Sequence, residues 1–205
     1  MLSINTNTNI NTRMPTIIAI CGAKRSGKDV LAEHLVNHYK YERVAFADSL
    51  KKAVKALFHF DDEQMLTDKK DVVDEAWGIT PRAALQFFGT EIMQEKIQEL
   101  LPDIKRNFFA NNMKSYIADK RATDANAKFV ISDMRFLHEY EMLFKIPNIR
   151  KDDIVIIRVI RPSANPVVHS HISEVEYMEI PYDVVLVNNG TIENYLAKFD
   201  KIMTI

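Results

Sequence analysis

The stretch TIIAICGAKRSGKD, residues 16–29, decides the fold class of this chain. An apolar, β-branched run ends at Cys21, Gly22 and Gly27 bracket a basic loop, and an amphipathic segment begins at Lys28. A strand, a glycine-bounded loop and a helix in this order form a P-loop, in which backbone N–H groups and the helix N-terminus bind phosphate. Two of the five glycines in the chain occupy the positions that such a loop requires. The stretch therefore predicts a nucleoside triphosphate site, against the alternative of an ordinary strand-to-helix turn.

The residue types within this loop predict separate roles. Lys28 is expected to reach the β- and γ-phosphates. The next residue is Asp29, where a P-loop usually has the Ser or Thr whose hydroxyl binds magnesium. A carboxylate is also a hard oxygen ligand, so Asp29 is a candidate ligand for Mg²⁺, and the alternative is that it stabilises the first helical turn. The predicted ATP-binding residues of the loop are Gly22, Ala23, Lys24, Arg25, Ser26, Gly27, Lys28 and Asp29.

Composition is that of a globular protein with one domain. The chain has 205 residues, of which 47% are hydrophobic, and a net charge of −1. The near-neutral charge argues against a nucleic-acid or membrane surface, and no apolar run reaches the about 18 residues of a membrane span. The single cysteine excludes an internal disulfide. Residues 1–14 are polar, unlike a signal peptide, so we predict a disordered tail, a domain over 15–205 and a cytoplasmic location. A homodimer is compatible with the sequence.

Strand and helix patterns alternate after the tail. The predicted strands are 16–22, 41–48, 128–133, 153–160 and 183–189, and the predicted helices are 27–40, 48–58, 80–101, 105–120, 136–146 and 191–203. Apolar strands separated by helices indicate a parallel sheet covered on both faces. The fold class is therefore predicted as α/β, a five-stranded parallel sheet flanked by helices. Ligands bind at the carboxyl ends of such strands, and the residues predicted there are Gly22, Asp48, Asp133, Arg161 and Asn188.

The predicted helix over 80–101 has a polar face. Arg82, Gln86, Gly89 and Thr90 share this face at helical spacing. A glycine inside a helix costs about 1 kcal/mol relative to alanine, so Gly89 indicates the close approach of a ligand or of another backbone. The alternative is tight packing between helices. An arginine, an amide and a hydroxyl around such a gap could bind a phosphate, a base edge and a sugar.

Charged residues at the later strand ends complete the predicted machinery. Asp133 is placed to hold magnesium and Arg135 to bind phosphate, unless the two only pair with each other. Arg158 and Arg161 flank the turn into the polar segment 161–181, which we predict to be a lid that excludes water from phosphoryl transfer. The predicted catalytic residues are Lys28, Asp133, Arg158 and Arg161.

The remaining candidates have weaker signals. Asp48 and Lys51 lie where a substrate-binding helix would begin. Asn188 and Asn189 end the last strand, and either contact the nucleotide base or form a turn with the glycine that follows. The lid segment also contains His169, His171 and Glu174, which are too few for a metal site and are predicted to be polar lid residues or plainly exposed. Of these three, His171 and Glu174 are our candidates for binding the substrate.

In these blocks the chain resembles the deoxynucleoside monophosphate kinases of the bacteriophage type, within the P-loop kinase superfamily. The resemblance rests on GAKRSGKD (22–29), TPRAALQFFGTE (80–91), VISDMR (130–135), IRVIRP (157–162), HISE (171–174) and VLVNNGT (185–191). The family implies a P-loop kinase fold with a monophosphate-binding region and a lid. It also implies magnesium-dependent transfer of the γ-phosphoryl group of ATP to a dNMP, giving dNDP and ADP. By position, Arg82, Gln86 and Arg135 are then candidates for binding the dNMP.

Two other functions stay open on the sequence alone. The loop and the strand-end Asp-x-Arg also resemble the animal-type phosphomevalonate kinases, although the TPR…Q…GT helix argues against them. The second open function is a non-catalytic module that binds ATP or a dNMP, although such a module has no need of lid arginines. A kinase of nucleic-acid ends would need a basic groove, which the near-neutral charge disfavours.

Overall fold

The computed structural model describes residues 14–162 and 176–203 of the chain. Its central element is a sheet of five strands: β1 Ile17–Cys21, β2 Glu42–Val44, β3 Phe129–Ile131, β4 Ile154–Ile160 and β5 Val184–Val187. The strand order is β2-β3-β1-β4-β5, and every neighbouring pair is parallel. This confirms the predicted α/β class and the five-stranded parallel sheet. The second strand is shorter than predicted because β2 lies at the edge and pairs only with the three-residue strand β3.

The described part of the chain contains seven α-helices. They are α1 Lys28–Tyr39, α2 Asp48–Phe58, α3 Asp62–Leu66, α4 Pro81–Gln86, α5 Phe108–Thr123, α6 Leu137–Leu143 and α7 Ile192–Met203. The chain divides into two compact units, residues 1–45 with 114–205 and residues 46–113. None of the helices among the described residues has the length and apolar character that a membrane span requires.

The first unit contains the sheet and its core. All five residues of β1 are fully buried, as expected for a central strand whose two faces are both covered. On one face the strands pack against Leu31 and Leu35 of α1, and against Tyr195 and Phe199 of α7. The predicted apolar face of the first helix thus packs on the sheet, and the sheet gives the P-loop between β1 and α1 a rigid support.

The second unit has its own small core. Val54 of α2, Phe60, Met65 of α3 and Ala84 of α4 are buried together. Phe58 adds ring contacts to this core, with Phe60 stacked at a centroid distance of 5.3 Å. Between α2 and α4 the chain forms only α3 and a 3₁₀-helix at Asp68–Asp71.

The segment predicted as one helix over 80–101 changes its helix type twice. Thr80 caps α4 by accepting the Ala83 N–H at 3.1 Å, and Pro81 takes the first helical position, where its missing N–H costs nothing. A π-helix then covers Phe87–Glu95, and a 3₁₀-helix covers Lys96–Glu99. A π-helix has a wider turn than an α-helix, so the α-helical spacing that grouped Gly89 and Thr90 with Arg82 is wrong beyond α4.

Candidate active site

The P-loop adopts a conformation that two glycines make accessible. Backbone φ is +147° at Gly22 and +109° at Gly27, and Arg25 between them also has a positive φ of +62°. A Cβ built on Gly22 would lie 2.4 Å from the carbonyl oxygen of Val159 in β4, and one on Gly27 would lie 2.6 Å from Nδ2 of Asn188. Both positions therefore need glycine for space as well as for φ.

Side chains of the protein donate hydrogen bonds to several carbonyl groups of the loop. Lys28 is buried, and its Nζ donates to the carbonyls of Gly22 and Ala23 at 2.9 and 2.7 Å. Asn188 Nδ2 donates to the Ser26 carbonyl at 2.9 Å, and the hydroxyl of Tyr195 donates to the Gly27 carbonyl at 3.2 Å. With its carbonyls held in this way, the loop can offer its backbone N–H groups and the N-terminus of α1 to an anion.

A buried hydroxyl within the loop is also consistent with a polar ligand. Ser26 is 1% exposed, and its Oγ has no hydrogen-bond partner among the described residues. Buried polar groups are almost always paired in folded proteins. The phosphate of a bound nucleotide is the group that this loop type would bring to such a hydroxyl.

Asp29 has a partner that the sequence did not indicate. Its carboxylate forms an ion pair with Nη2 of Arg43 on β2. Nε of the same guanidinium donates to Oγ of Ser132, the residue after β3, at 3.1 Å. Arg43 thus connects the start of α1 to the end of β3, one residue before Asp133. Nothing in the sequence of the predicted strand 41–48 marks Arg43 as more than a strand residue, so only the tertiary contact identifies it.

A buried carboxylate fixes the turn that follows β3. Glu139 in the first turn of α6 is 7% exposed, and its Oε2 accepts the N–H groups of Arg135 at 2.8 Å and Phe136 at 3.1 Å. Burial, and then the charge of Asp133, raise the pKa of Glu139 to about 8. Glu139 therefore holds the backbone that presents Asp133 and Arg135, and it carries its proton at neutral pH.

Replacing Glu139 by glutamine is expected to flatten the dependence of stability on pH. A pKa of about 8 in the folded protein, against about 4.3 in the unfolded chain, means that only the folded state binds this proton between those values. The wild type therefore loses stability as pH rises from about 5 to 8, and Glu139→Gln lacks this loss. In thermal unfolding measured from about pH 5 to 8, the Tm of the variant should rise relative to that of the wild type as the pH increases.

The exposed Glu141 on the same helix provides the matched control. Glu141→Gln changes the same chemical group without changing the buried site. A Tm difference between Glu139→Gln and wild type that stays constant from pH 5 to 8 would contradict the raised pKa.

The two predicted lid arginines have different surroundings. Nη2 of Arg158 donates to the carbonyls of Tyr177, Met178 and Ile180, at 3.2, 3.0 and 2.5 Å. Arg158 therefore anchors the end of the segment before β5, and its predicted charge balance at the phosphates stays a prediction. Arg161 is exposed, and its Nη1 lies 3.5 Å from the carbonyl oxygen of Arg25 in the P-loop. Residues 163–175 of the predicted lid, with His169, His171 and Glu174, lie outside the described residues.

The candidates at the last strand have protein partners. Asn188 holds the P-loop as described above. Asn189 Oδ1 accepts a hydrogen bond from Nζ of Lys198 at 2.7 Å. Both observations give these side chains structural contacts, and their predicted contact with a base stays a prediction.

The second unit carries the remaining substrate candidates. The guanidinium of Arg82 is held by both carboxylate oxygens of Asp71, which raises the pKa of Arg82. A Cβ on Gly89 would lie 2.8 Å from Cδ2 of Leu50 in α2, which is a contact of the kind that the packing alternative expects. Gln86 and Thr90 are exposed, whereas Asp48 and Lys51 at the start of α2 are half-buried. Their predicted contacts with a substrate stay predictions.

Oxygen donors suited to magnesium are present but form no closed cage. No group of three or more His, Cys, Asp or Glu residues within 14–162 and 176–203 could hold a metal ion. Mg²⁺ is usually held by one or two carboxylates together with substrate phosphates. The exposed carboxylate of Asp29 and the half-buried Asp133 fit that mode.

Comparison with known proteins gives one family match and one similar curated protein. The model of the family described as deoxynucleotide monophosphate kinase matches residues 55–199. The protein named "Putative deoxynucleotide monophosphate kinase" from Acanthamoeba polyphaga mimivirus is 34% identical over 186 residues, which cover 89% of this chain and 93% of that protein.

Solved structures include more distant similarities. TT1252 from Thermus thermophilus has a TM-score of 0.47 and 15% identity, covering 93% of this chain and 97% of its own. Dephospho-CoA kinase from Campylobacter jejuni has a TM-score of 0.45 and 9% identity, with coverage of 93% and 97%.

Proposed function

The chain belongs to the deoxynucleotide monophosphate kinase family, and from this premise we propose that it transfers the γ-phosphoryl group of ATP to a deoxynucleoside monophosphate. The products are a dNDP and ADP, and the reaction depends on magnesium. The observation that carries the proposal is the P-loop, whose carbonyls are held by Lys28, Asn188 and Tyr195. A triphosphate donor is the ligand class that such a loop binds. We also propose that the enzyme acts in the cytoplasm, where both nucleotides are available.

The chemistry that this site needs to supply is positioning and charge balance. An oxygen of the acceptor phosphate attacks the γ-phosphorus, and the bond from that phosphorus to the bridging oxygen of ADP breaks. No general base is required, since a monophosphate is largely ionised at neutral pH. Lys28 would exchange its two carbonyl partners for phosphate oxygens, and Arg161 beside the loop would add positive charge.

Asp29 and Asp133 are the residues proposed to hold magnesium. Asp29 follows the P-loop and Asp133 follows β3, both at the carboxyl edge of the sheet. Both carboxylates provide hard oxygen ligands. When bound, Mg²⁺ neutralises the charge that develops on the β- and γ-phosphate oxygens. Arg43 pairs with Asp29, and the buried Glu139 accepts the N–H groups of the turn that follows Asp133.

Replacing Arg135 by alanine is expected to weaken binding of the acceptor. A hydrogen bond to a charged group contributes about 1.5–3 kcal/mol, so the KM for the dNMP should rise roughly 10- to 150-fold. The KM for ATP should change less than twofold, because Arg135 is assigned to the acceptor. Steady-state kinetics with each substrate varied in turn measures both values. An unchanged dNMP KM would remove Arg135 from the acceptor site.

The test of the proposed function is acceptor-dependent formation of ADP. The protein is incubated with ATP and magnesium, and each dNMP, each NMP and phosphomevalonate is added separately. Acceleration by one or more dNMPs supports the proposal and reports base preference directly. Acceleration by phosphomevalonate alone, or ATP binding without acceleration by any acceptor, would contradict it.

A further inference from the structure

Arg43 is a charged residue of the first unit that contacts two predicted functional segments at once. It lies on the edge strand β2, opposite Val130 in the register with β3. Its Nη2 pairs with Asp29 in the first turn of α1, and its Nε donates to Ser132 Oγ at 3.1 Å. Ser132 is 4% exposed, so the second contact reaches a buried side chain.

The directions of these two contacts require a guanidinium. Nε and Nη2 point along fixed directions in one plane, and a lysine ammonium presents no such fork. The ion pair itself is half-exposed to exposed, with side chains 43% and 78% accessible, so it should stabilise the fold only slightly. Asp29 follows Lys28 in the chain, and Ser132 precedes Asp133. A contact that joins these two positions but adds little stability points to a role in positioning the site.

We propose that Arg43 is a positioning residue of the nucleotide site, which holds Asp29 beside the end of β3 and so fixes the Asp29 carboxylate relative to the phosphate loop. The proposal rests on the proposed function only in assigning ATP to that loop. Arg43 itself need not touch ATP, because it acts through Asp29 and Ser132.

The experiment measures ATP affinity by calorimetry in the presence of Mg²⁺ for a set of variants of the full chain. Arg43→Gln and Arg43→Lys test the residue, and Asp29→Asn alone and combined with Arg43→Gln tests whether it acts through Asp29. Arg150→Gln is the matched control, since Arg150 forms a comparable exposed pair with Asp153 at 3.0 Å before β4. Circular dichroism and Tm establish that each variant is folded.

We expect Arg43→Gln to raise the Kd for ATP about fivefold or more, with the Tm nearly unchanged. Arg43→Lys should not restore affinity, and Arg43→Gln should have less than a twofold effect in the Asp29→Asn background. Full affinity in Arg43→Lys would overturn the proposal, because charge alone would then suffice. An effect no larger than that of Arg150→Gln, or an undiminished effect in the Asp29→Asn background, would also overturn it.

These outcomes are distinguishable from failure of the proposed function. ATP affinity is measured without any acceptor, so a protein that binds ATP but transfers nothing to a dNMP still tests Arg43. Conversely, dNMP-dependent turnover with normal ATP affinity in Arg43→Gln would leave the proposed function intact and overturn this inference alone.

Discussion

Replacing Lys28 by alanine is expected to lower kcat by about a hundred- to a thousandfold. The side chain is 8% exposed, and its Nζ is already inside the loop, donating to the carbonyls of Gly22 and Ala23. From there the ammonium can exchange these carbonyls for phosphate oxygens and stabilise the charge that develops on the transferring phosphoryl group, so its removal should affect turnover strongly. Steady-state ADP formation with saturating ATP and dNMP measures the effect.

Lys24 provides the control, because it is exposed in the same loop and carries the same charge. Lys24→Ala should change kcat by no more than a few-fold if buried placement, rather than the net charge of the loop, is what matters. Lys28→Ala leaves two carbonyls without this donor, a loss of about 1 kcal/mol each, so its Tm should fall by a few degrees only. Near-normal turnover in a folded Lys28→Ala would contradict the assignment of the P-loop.

The fold could be predicted because its decisive signals are local. β1 reads as a continuous apolar run, and it is the strand buried on both faces. The helix predicted over 48–58 has those bounds in the structure, because its apolar spacing and its flanking residues agree. The phosphate loop lies between β1 and α1, and it was identified from its glycines and Lys28 for the same reason.

The residues that hold the site in place could not be predicted, since their roles arise from contacts distant in sequence. Arg43 meets Ser132 across 89 positions, and Asn188 meets the Ser26 carbonyl across 162. Glu139 lies near Arg135 in sequence, but its burial depends on the packing of α6, which a charged residue in a helical pattern does not indicate. Sequence patterns show which residues can do chemistry, whereas these contacts show what positions them.

The change of helix type after α4 was missed for a different physical reason. The period of an α-helix and that of a π-helix differ by less than one residue per turn, so a short apolar pattern fits both. Gly89 was the signal available, and the side chain that approaches it in the structure is that of Leu50. A glycine in a helix indicates a close approach, and only the structure identifies what approaches.

Replacing Gly22 by alanine is expected to distort the loop and abolish ATP binding. The new Cβ would meet the Val159 carbonyl oxygen at 2.4 Å, and Val159 is 1% exposed within β4, next to β1. Neither strand can shift without breaking the parallel ladder, and φ of +147° is itself unfavourable for alanine. We expect a destabilisation of about 3–5 kcal/mol, which corresponds to a fall in Tm of roughly 10 °C.

Gly78 separates the two causes of this loss. Its φ is +67°, but a Cβ there would have nothing within 4 Å among the described residues, so Gly78→Ala tests backbone strain alone. That variant should lose about 1–2 kcal/mol and retain ATP binding. If Gly22→Ala loses no more stability than Gly78→Ala and still binds ATP, the contact with Val159 does not shape the loop. Gly22→Ala could instead lose ATP binding while its Tm falls only as far as that of Gly78→Ala. The loop would then have changed conformation without disturbing the sheet, and Gly22 would be required for ATP binding more than for stability.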